Sequence, residues 1–190
     1  MDDIQAANTV FTVLTFVANA ALLALIVAAV TGRAGARGRL VADRVVAAVG
    51  PYAHRIAVVV ALGATAGSLY YSEVKHLIPC ELCWYQRILM YPLVAILLVG
   101  MLRRDRAVFW YAAPLVAIGA PLALYHWLVE RVPSLSDSTS CSVLVPCNVP
   151  YFEELGYVTL AFMSMSAFLL IGALLLVGRA HNRSAMEAIS

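Results

Sequence analysis

Charge is what this sequence has least of. Only 13 of its 190 residues are Lys or Arg and 11 are Asp or Glu. Charged residues therefore make up 13%, against about 25% in a soluble domain. Hydrophobic residues reach 63%, and a water-soluble globule of this size cannot hide so much apolar surface. A net charge of +2 is also far too small for a phosphate-binding surface. A soluble enzyme, a disordered tail and a nucleic-acid binder are thereby excluded. The chain shows no internal repeat and no low-complexity tract, and its apolar runs are continuous rather than alternating, which argues against a barrel. What remains is an all-α integral membrane protein.

A helix needs about 20 apolar residues to cross the hydrocarbon core. Three stretches free of Asp, Glu, Lys and Arg meet this: residues 4–32, 107–129 and 155–178. Two shorter ones, 56–72 and 88–102, become long enough once their partly polar ends are included, and those ends converge on residues 73–87. Five spans are predicted. The first run starts Met1-Asp2-Asp3, without a basic n-region, and is too long for an h-region, so it does not read as a signal peptide. Residues 39–49 place Leu40, Val41, Val45, Val46 and Val49 on one face, opposite Arg39, Asp43 and Arg44. This stretch reads as a short interfacial helix or as a plain connector. Pro114, Pro121 and Gly119 are expected to bend the fourth span.

Basic residues set the expected orientation. Ten of the 13, namely Arg33, Arg37, Arg39, Arg44, Arg55, Arg103, Arg104, Arg106, Arg179 and Arg183, fall on one side of the five spans. That side is read as cytoplasmic. Lys75, Arg87, Arg131 and eight of the 11 acids fall on the other. The N-terminus is expected outside and the C-terminus inside.

The same topology puts all four cysteines, Cys80, Cys83, Cys141 and Cys147, on the extracytoplasmic side, where disulfides persist. The first two form a C-x-x-C pair in the short loop between the second and third spans. The others are separated by five residues in the only long outer loop. A four-cysteine zinc site fits the count, but such sites usually pair two close C-x-x-C knuckles. Purely structural bridges are a second reading, although closing a two-residue gap gains little stability. Redox exchange suits the tight pair best, because its thiolate is readily stabilised and its bond readily attacked. Cys83 opens the third span, near a helix N-terminus that favours a thiolate. Arg87 stands one turn deeper on the same face. It is a permanent cation at the membrane edge, read either as functional or as snorkelling to the headgroups. A cation beside a thiolate and beside lipid is what a lipid-soluble electron acceptor needs.

With Cys80-Glu81-Leu82-Cys83-Trp84-Tyr85-Gln86-Arg87 in view, the chain resembles the DsbB family of disulfide-bond formation proteins, in particular its short Gram-positive type, BdbC. The resemblance runs from about residue 67 to 178, through Gly67-Ser68-Leu69-Tyr70, Pro79-Cys80, Arg87-Ile88-Leu89-Met90-Tyr91-Pro92 and Pro146-Cys147. It implies a four-helix transmembrane bundle with a quinone (menaquinone or ubiquinone) at its outer end. It also implies electron flow from a soluble or tethered thioredoxin-fold oxidase, DsbA-like, through two cysteine pairs to that quinone. By order in the motif, Cys83 is the quinone-facing cysteine and Cys80 its resolving partner. Cys141 is the sulfur attacked by the oxidase, and Cys147 relays to Cys80. Arg87 matches the family's quinone-site arginine. His126 is similar in placement to a family histidine, although its spacing alone reads as an ordinary interfacial histidine. Gln86 stands where other branches carry glutamate, which weakens a proton-donor role there. The aromatics Tyr70, Tyr71, Trp84, Tyr85 and Tyr91 read mostly as the outer aromatic belt.

The expected organisation is an additional N-terminal transmembrane helix with a cytoplasmic connector (1–50), the four-helix redox bundle (51–180) and a short cytoplasmic tail (181–190). The first helix has no counterpart in the usual four-helix members, and packing or anchoring is its expected role. Two rival readings stand beside this one. A reductase similar to vitamin K epoxide reductase also uses C-x-x-C in a helical bundle, but it places its loop cysteines ahead of that motif. A small non-enzymatic membrane subunit would carry two inert structural disulfides.

Overall fold

A computed structural model of the chain describes residues 2–136, 141 and 145–187. Its long helices are α1 (Asp2–Arg33), α3 (Ala53–Leu69), α4 (Glu81–Arg103), α5 (Val108–Val129) and α7 (Leu160–Glu187), joined by the shorter α2 (Ala36–Val49) and α6 (Pro133–Ser136). Five helical stretches among the described residues are long and apolar enough to cross a membrane. No strand forms among those residues; Glu154 and Val158 make one isolated bridge. The expected architecture, a four-helix bundle plus one additional N-terminal helix, is the one observed.

Local chemistry explains where the spans start and stop. Cys80 has extended backbone and caps α4, its Sγ accepting the Cys83 N–H at 3.3 Å. The helix ends at Arg104, in the left-handed region at φ 52°. After α3 the chain widens into a π-turn over Tyr70–Val74, an irregularity that often marks functional positions. The last span begins later than its charge-free run. Leu155 and Gly156 turn left-handed at φ 53° and 77°, the Glu154–Val158 bridge closes that turn, and only then does α7 start. α5 runs unbroken through Pro114 and Pro121. α7 continues through residues 181–187, so the described part of the tail is helical.

α7 is the central post. Phe168 and Ile171 on it, Leu93 and Leu97 on α4 and Val108 on α5 are fully buried. Small residues let the helices close up, as expected where lipid supplies no hydrophobic drive between them. Ala53, Ala57 and Ala61 of α3 are fully buried in this core, and a Cβ at Gly119 would meet the Phe168 ring at 2.4 Å.

α1 runs in the same direction as α7 and is tied to it by Asn19, whose Nδ2 donates to Ser166 Oγ at 2.9 Å. Asn8, Thr12 and Thr15 are buried on the same face, three or four residues apart. The Tyr71 hydroxyl donates to Asn8 Oδ1 at 2.7 Å. Such hydrogen bonds are the available glue between helices in lipid. From the Asn19–Ser166 level, Thr31 lies about 18 Å along α1 and His181 about 22 Å along α7. α2 begins against Thr31 and ends against His181, so it lies across this end of the bundle. Arg179 is stacked there on Phe109 and Trp110, and the four cysteines occupy the opposite end.

Candidate active site

The first turn of α4 builds the centre. The Sγ atoms of Cys80 and Cys83 lie 2.7 Å apart and both thiols are free. Cys80 is buried and Cys83 half-buried. From α5, one turn before its end, buried His126 points Nε2 at Cys80 Sγ, 3.6 Å away. Its Nδ1 lies 2.8 Å from Gln86 Nε2, itself buried. With Gln86 donating to Nδ1, the ring proton sits on Nε2 and faces sulfur. The Cys80 thiol is lowered to about 5. The first cause is the hydrogen bond from Cys83 Sγ; His126, by hydrogen bond and charge, and the Cys83 N–H add to it, while burial opposes.

Beside the same His126 Nε2 stands Glu130, whose Oε1 is 3.9 Å from it. Its Oε2 accepts the Thr159 hydroxyl at 2.6 Å. Burial pushes the Glu130 carboxyl above the usual carboxylate range, against the Thr159 hydrogen bond and the charges of His126 and Arg131. Sequence reading passed over Glu130 as one more outer acid. Its four-residue spacing from His126 was the available signal.

Cys141 and Cys147 are joined by a disulfide. Cys147 is buried and packs in one cluster with Cys80, Leu82 and Val129, against which Cys83 and the half-buried Cys141 also pack. The two pairs are therefore neighbours. The loop carrying the bridge is held by the Tyr151 hydroxyl, which donates to the Ile78 carbonyl, and by Arg131, which bonds Glu153 at 2.7 Å and the Gly156 carbonyl at 2.8 Å. Residues 137–140 and 142–144 of this loop lie outside the described residues. The four-cysteine zinc site is not formed, since the second pair is bridged. Cys80, Cys83 and His126 do bring three potential ligand atoms within 4.8 Å of one another.

On the other side of Cys83 opens an elongated, largely apolar cleft of about 440 Å³ between α1, α3, α4 and α7. Its polar end is formed by Cys83, Gln86, Arg87 and His126. Cys80 is not among its walls. Arg87 turns sideways across this end: Nη2 donates to the Ser68 carbonyl at 3.1 Å and the guanidinium stacks on Trp84. Ser68 Oγ in turn meets the Tyr91 hydroxyl at 3.1 Å. Two of the belt aromatics, Tyr71 and Tyr91, thus line the cleft, whereas Trp84 and Tyr85 are exposed.

The family model described as disulfide bond formation protein DsbB matches residues 52–178. The chain belongs to this family. Disulfide bond formation protein C of Bacillus subtilis is 48% identical over 113 residues, covering 60% of this chain and 82% of that protein. Probable disulfide formation protein C of Halalkalibacterium halodurans is 45% identical over 111 residues (58% and 81%). A probable disulfide formation protein of Coxiella burnetii is 40% identical over 118 residues (62% and 80%). No solved structure matches the chain significantly. All four cysteines, Gln86, Arg87 and His126 fall inside the DsbB match, and α1 and α2 precede it. As a DsbB-family protein with five membrane-crossing helices, the chain is a membrane disulfide oxidoreductase.

Proposed function

We propose that this oxidoreductase uses quinone as its electron acceptor and reoxidises a soluble or tethered, DsbA-like thioredoxin-fold donor on the outer face of the bacterial cell membrane. One observation carries the reading: Cys83 lines the apolar cleft, whereas Cys80, absent from its walls, is buried in one cluster with Cys147. The two sulfurs of one C-x-x-C turn thus face two different exchange partners.

The residues at the polar end of the cleft fit a quinone. Arg87 supplies a fixed charge-assisted donor, Gln86 and His126 supply further polar atoms, and the walls beyond them are apolar. A bound quinone would supply a two-electron, two-proton acceptor. The chain's own part is disulfide exchange. A partner thiolate bonds Cys141 Sγ and Cys147 leaves as thiolate; the partner's second thiolate then displaces Cys141 and departs as a disulfide. Cys147 next attacks Cys80 in an oxidised Cys80–Cys83 bridge, and Cys83 leaves as thiolate at the cleft. Cys141 closes on Cys147 again, freeing Cys80. Two electrons have then moved to the first pair, with the Glu130 carboxyl, raised by burial, placed to hold a released proton.

Purified protein should reduce added quinone when supplied with a dithiol thioredoxin-fold donor. Arg87→Lys should slow that step about tenfold, leaving exchange between the two pairs intact. Absence of quinone reduction by the unaltered protein would overturn the acceptor assignment.

The orientation follows from the ten basic residues at the end opposite the cysteines: N-terminus outside, C-terminus in the cytoplasm. A membrane-impermeant thiol reagent should label the cysteines in whole, mildly reduced cells. Labelling only after the membrane is broken would reverse the orientation.

A further inference from the structure

The cleft extends well beyond the redox centre. Along α3 it runs from Ser68, beside Arg87, to Ile56, about 18 Å of helix and far longer than a ring headgroup requires. One of its walls is α1, which precedes the family match. Phe11, Leu14, Ala18 and Ala21 of α1 line it opposite Val59 and Gly63 of α3.

The two helices touch at the cysteine end. The Phe11 ring lies 5.7 Å from that of Tyr71 and so close to Gly67 that a Cβ there would meet Phe11 Cε1 at 2.8 Å. The Tyr71–Asn8 hydrogen bond latches the same point. Below this latch α1 and α3 face one another across open space, and a Cβ at Gly63 meets nothing within 4 Å. The volume of about 440 Å³ falls within the range of small-molecule sites. Away from its head the lining is almost wholly apolar, which suits a molecule with a polar ring at Arg87 and a long hydrocarbon tail.

We propose that α1 completes a tail-binding groove for the acceptor, making this oxidoreductase selective for quinones that carry a polyisoprenoid tail. The inference rests on the quinone reading above and assigns the additional helix a part in substrate selection. α1 is held in place by the Asn19–Ser166 hydrogen bond to α7 and by the Asn8–Tyr71 latch. Its residues Leu14, Ala18 and Ala21 then turn a lipid-facing furrow into a walled groove.

The test is steady-state reduction of two acceptors by the full-length protein in phosphatidylcholine vesicles, with a dithiol thioredoxin-fold protein as electron source. One acceptor is a tail-less naphthoquinone and the other the same ring bearing several isoprene units. Gly63→Leu and Ala18→Phe fill the groove, and Gly63→Leu also replaces a poor helix former by a good one. Val13→Phe, on the exposed face of α1, is the control. KM for the tailed acceptor should rise about tenfold in both filling variants, with values for the tail-less acceptor, and both values in Val13→Phe, unchanged. An unchanged KM for the tailed acceptor in both variants would overturn the proposal and leave the groove to membrane lipid. An equal loss with both acceptors would overturn it too, since the groove would then serve the ring or the fold. Failure of the unaltered protein with both acceptors would instead remove the quinone reading itself.

Discussion

Cys80→Ala is expected to oxidise one equivalent of a dithiol partner and then stop. The Cys141–Cys147 bridge remains able to accept two electrons from the partner, because neither of its sulfurs has been touched. It cannot pass them on. Cys80 is the sulfur packed with Cys147, and without it no bridge can form with Cys83 to receive the exchange. Turnover with quinone as sole acceptor should therefore fall about a hundredfold or more, as for removal of a nucleophile, while a single-turnover burst persists. In Cys147→Ala the unpaired Cys141 should be recovered as a mixed disulfide with an oxidised partner, since Cys147, the thiol bridged to it in the unaltered chain, is no longer there to release it. Quench-flow measurement of partner oxidation, with the burst amplitude set against enzyme concentration, checks both. Sustained turnover of Cys80→Ala would show that the two pairs do not work in series.

Reduced protein is expected to keep its most reactive thiol at unusually low pH. With Cys80 lowered to about 5, its alkylation rate should stay nearly flat from pH 7 to pH 6 and fall only as the pH approaches 5, whereas an ordinary thiol loses about tenfold per unit throughout that interval. The sign of the linkage is that of a depressed acid. The thiolate's contribution to stability of the reduced fold is fully present above the ordinary thiol pKa and is lost as pH falls toward 5. His126→Ala removes the ring facing Cys80 Sγ at 3.6 Å. The thiolate then keeps the Cys83 contacts but loses a donor, so its pKa rises and alkylation at pH 6 slows about tenfold. Mass-spectrometric mapping of alkylated Cys80 against pH reads this out. An identical pH profile in His126→Ala would make His126 a packing residue. Glu130→Gln leaves the ring in place and should shift the profile less, because the donors that lower Cys80, namely Cys83 and His126, are both retained.

Composition and residue order were enough to show a membrane protein with five spans. Spanning is a local property, in which a run of residues must be apolar for the thickness of the bilayer whatever its neighbours are. The C-x-x-C turn and Arg87 were legible for a similar reason: they occupy two consecutive turns of one helix, so spacing alone sets their relation. The break before α7 was not legible, because Leu155 and Gly156 are as free of charge as the helix they precede, and their left-handed backbone depends on the bridge from Glu154 to Val158. Tertiary structure alone brought His126 to Cys80 across 46 residues of chain, set Gln86 and Glu130 around it, and seated the Cys141–Cys147 bridge beside Cys80. It also turned Asn8 and Asn19 from scattered polar residues in an apolar run into the two hydrogen-bonded points that fasten α1. Hydropathy counts what one helix exposes to lipid, whereas the cleft and the redox centre depend on which helices lie side by side, and that is decided by small residues and a few hydrogen bonds between elements far apart in sequence.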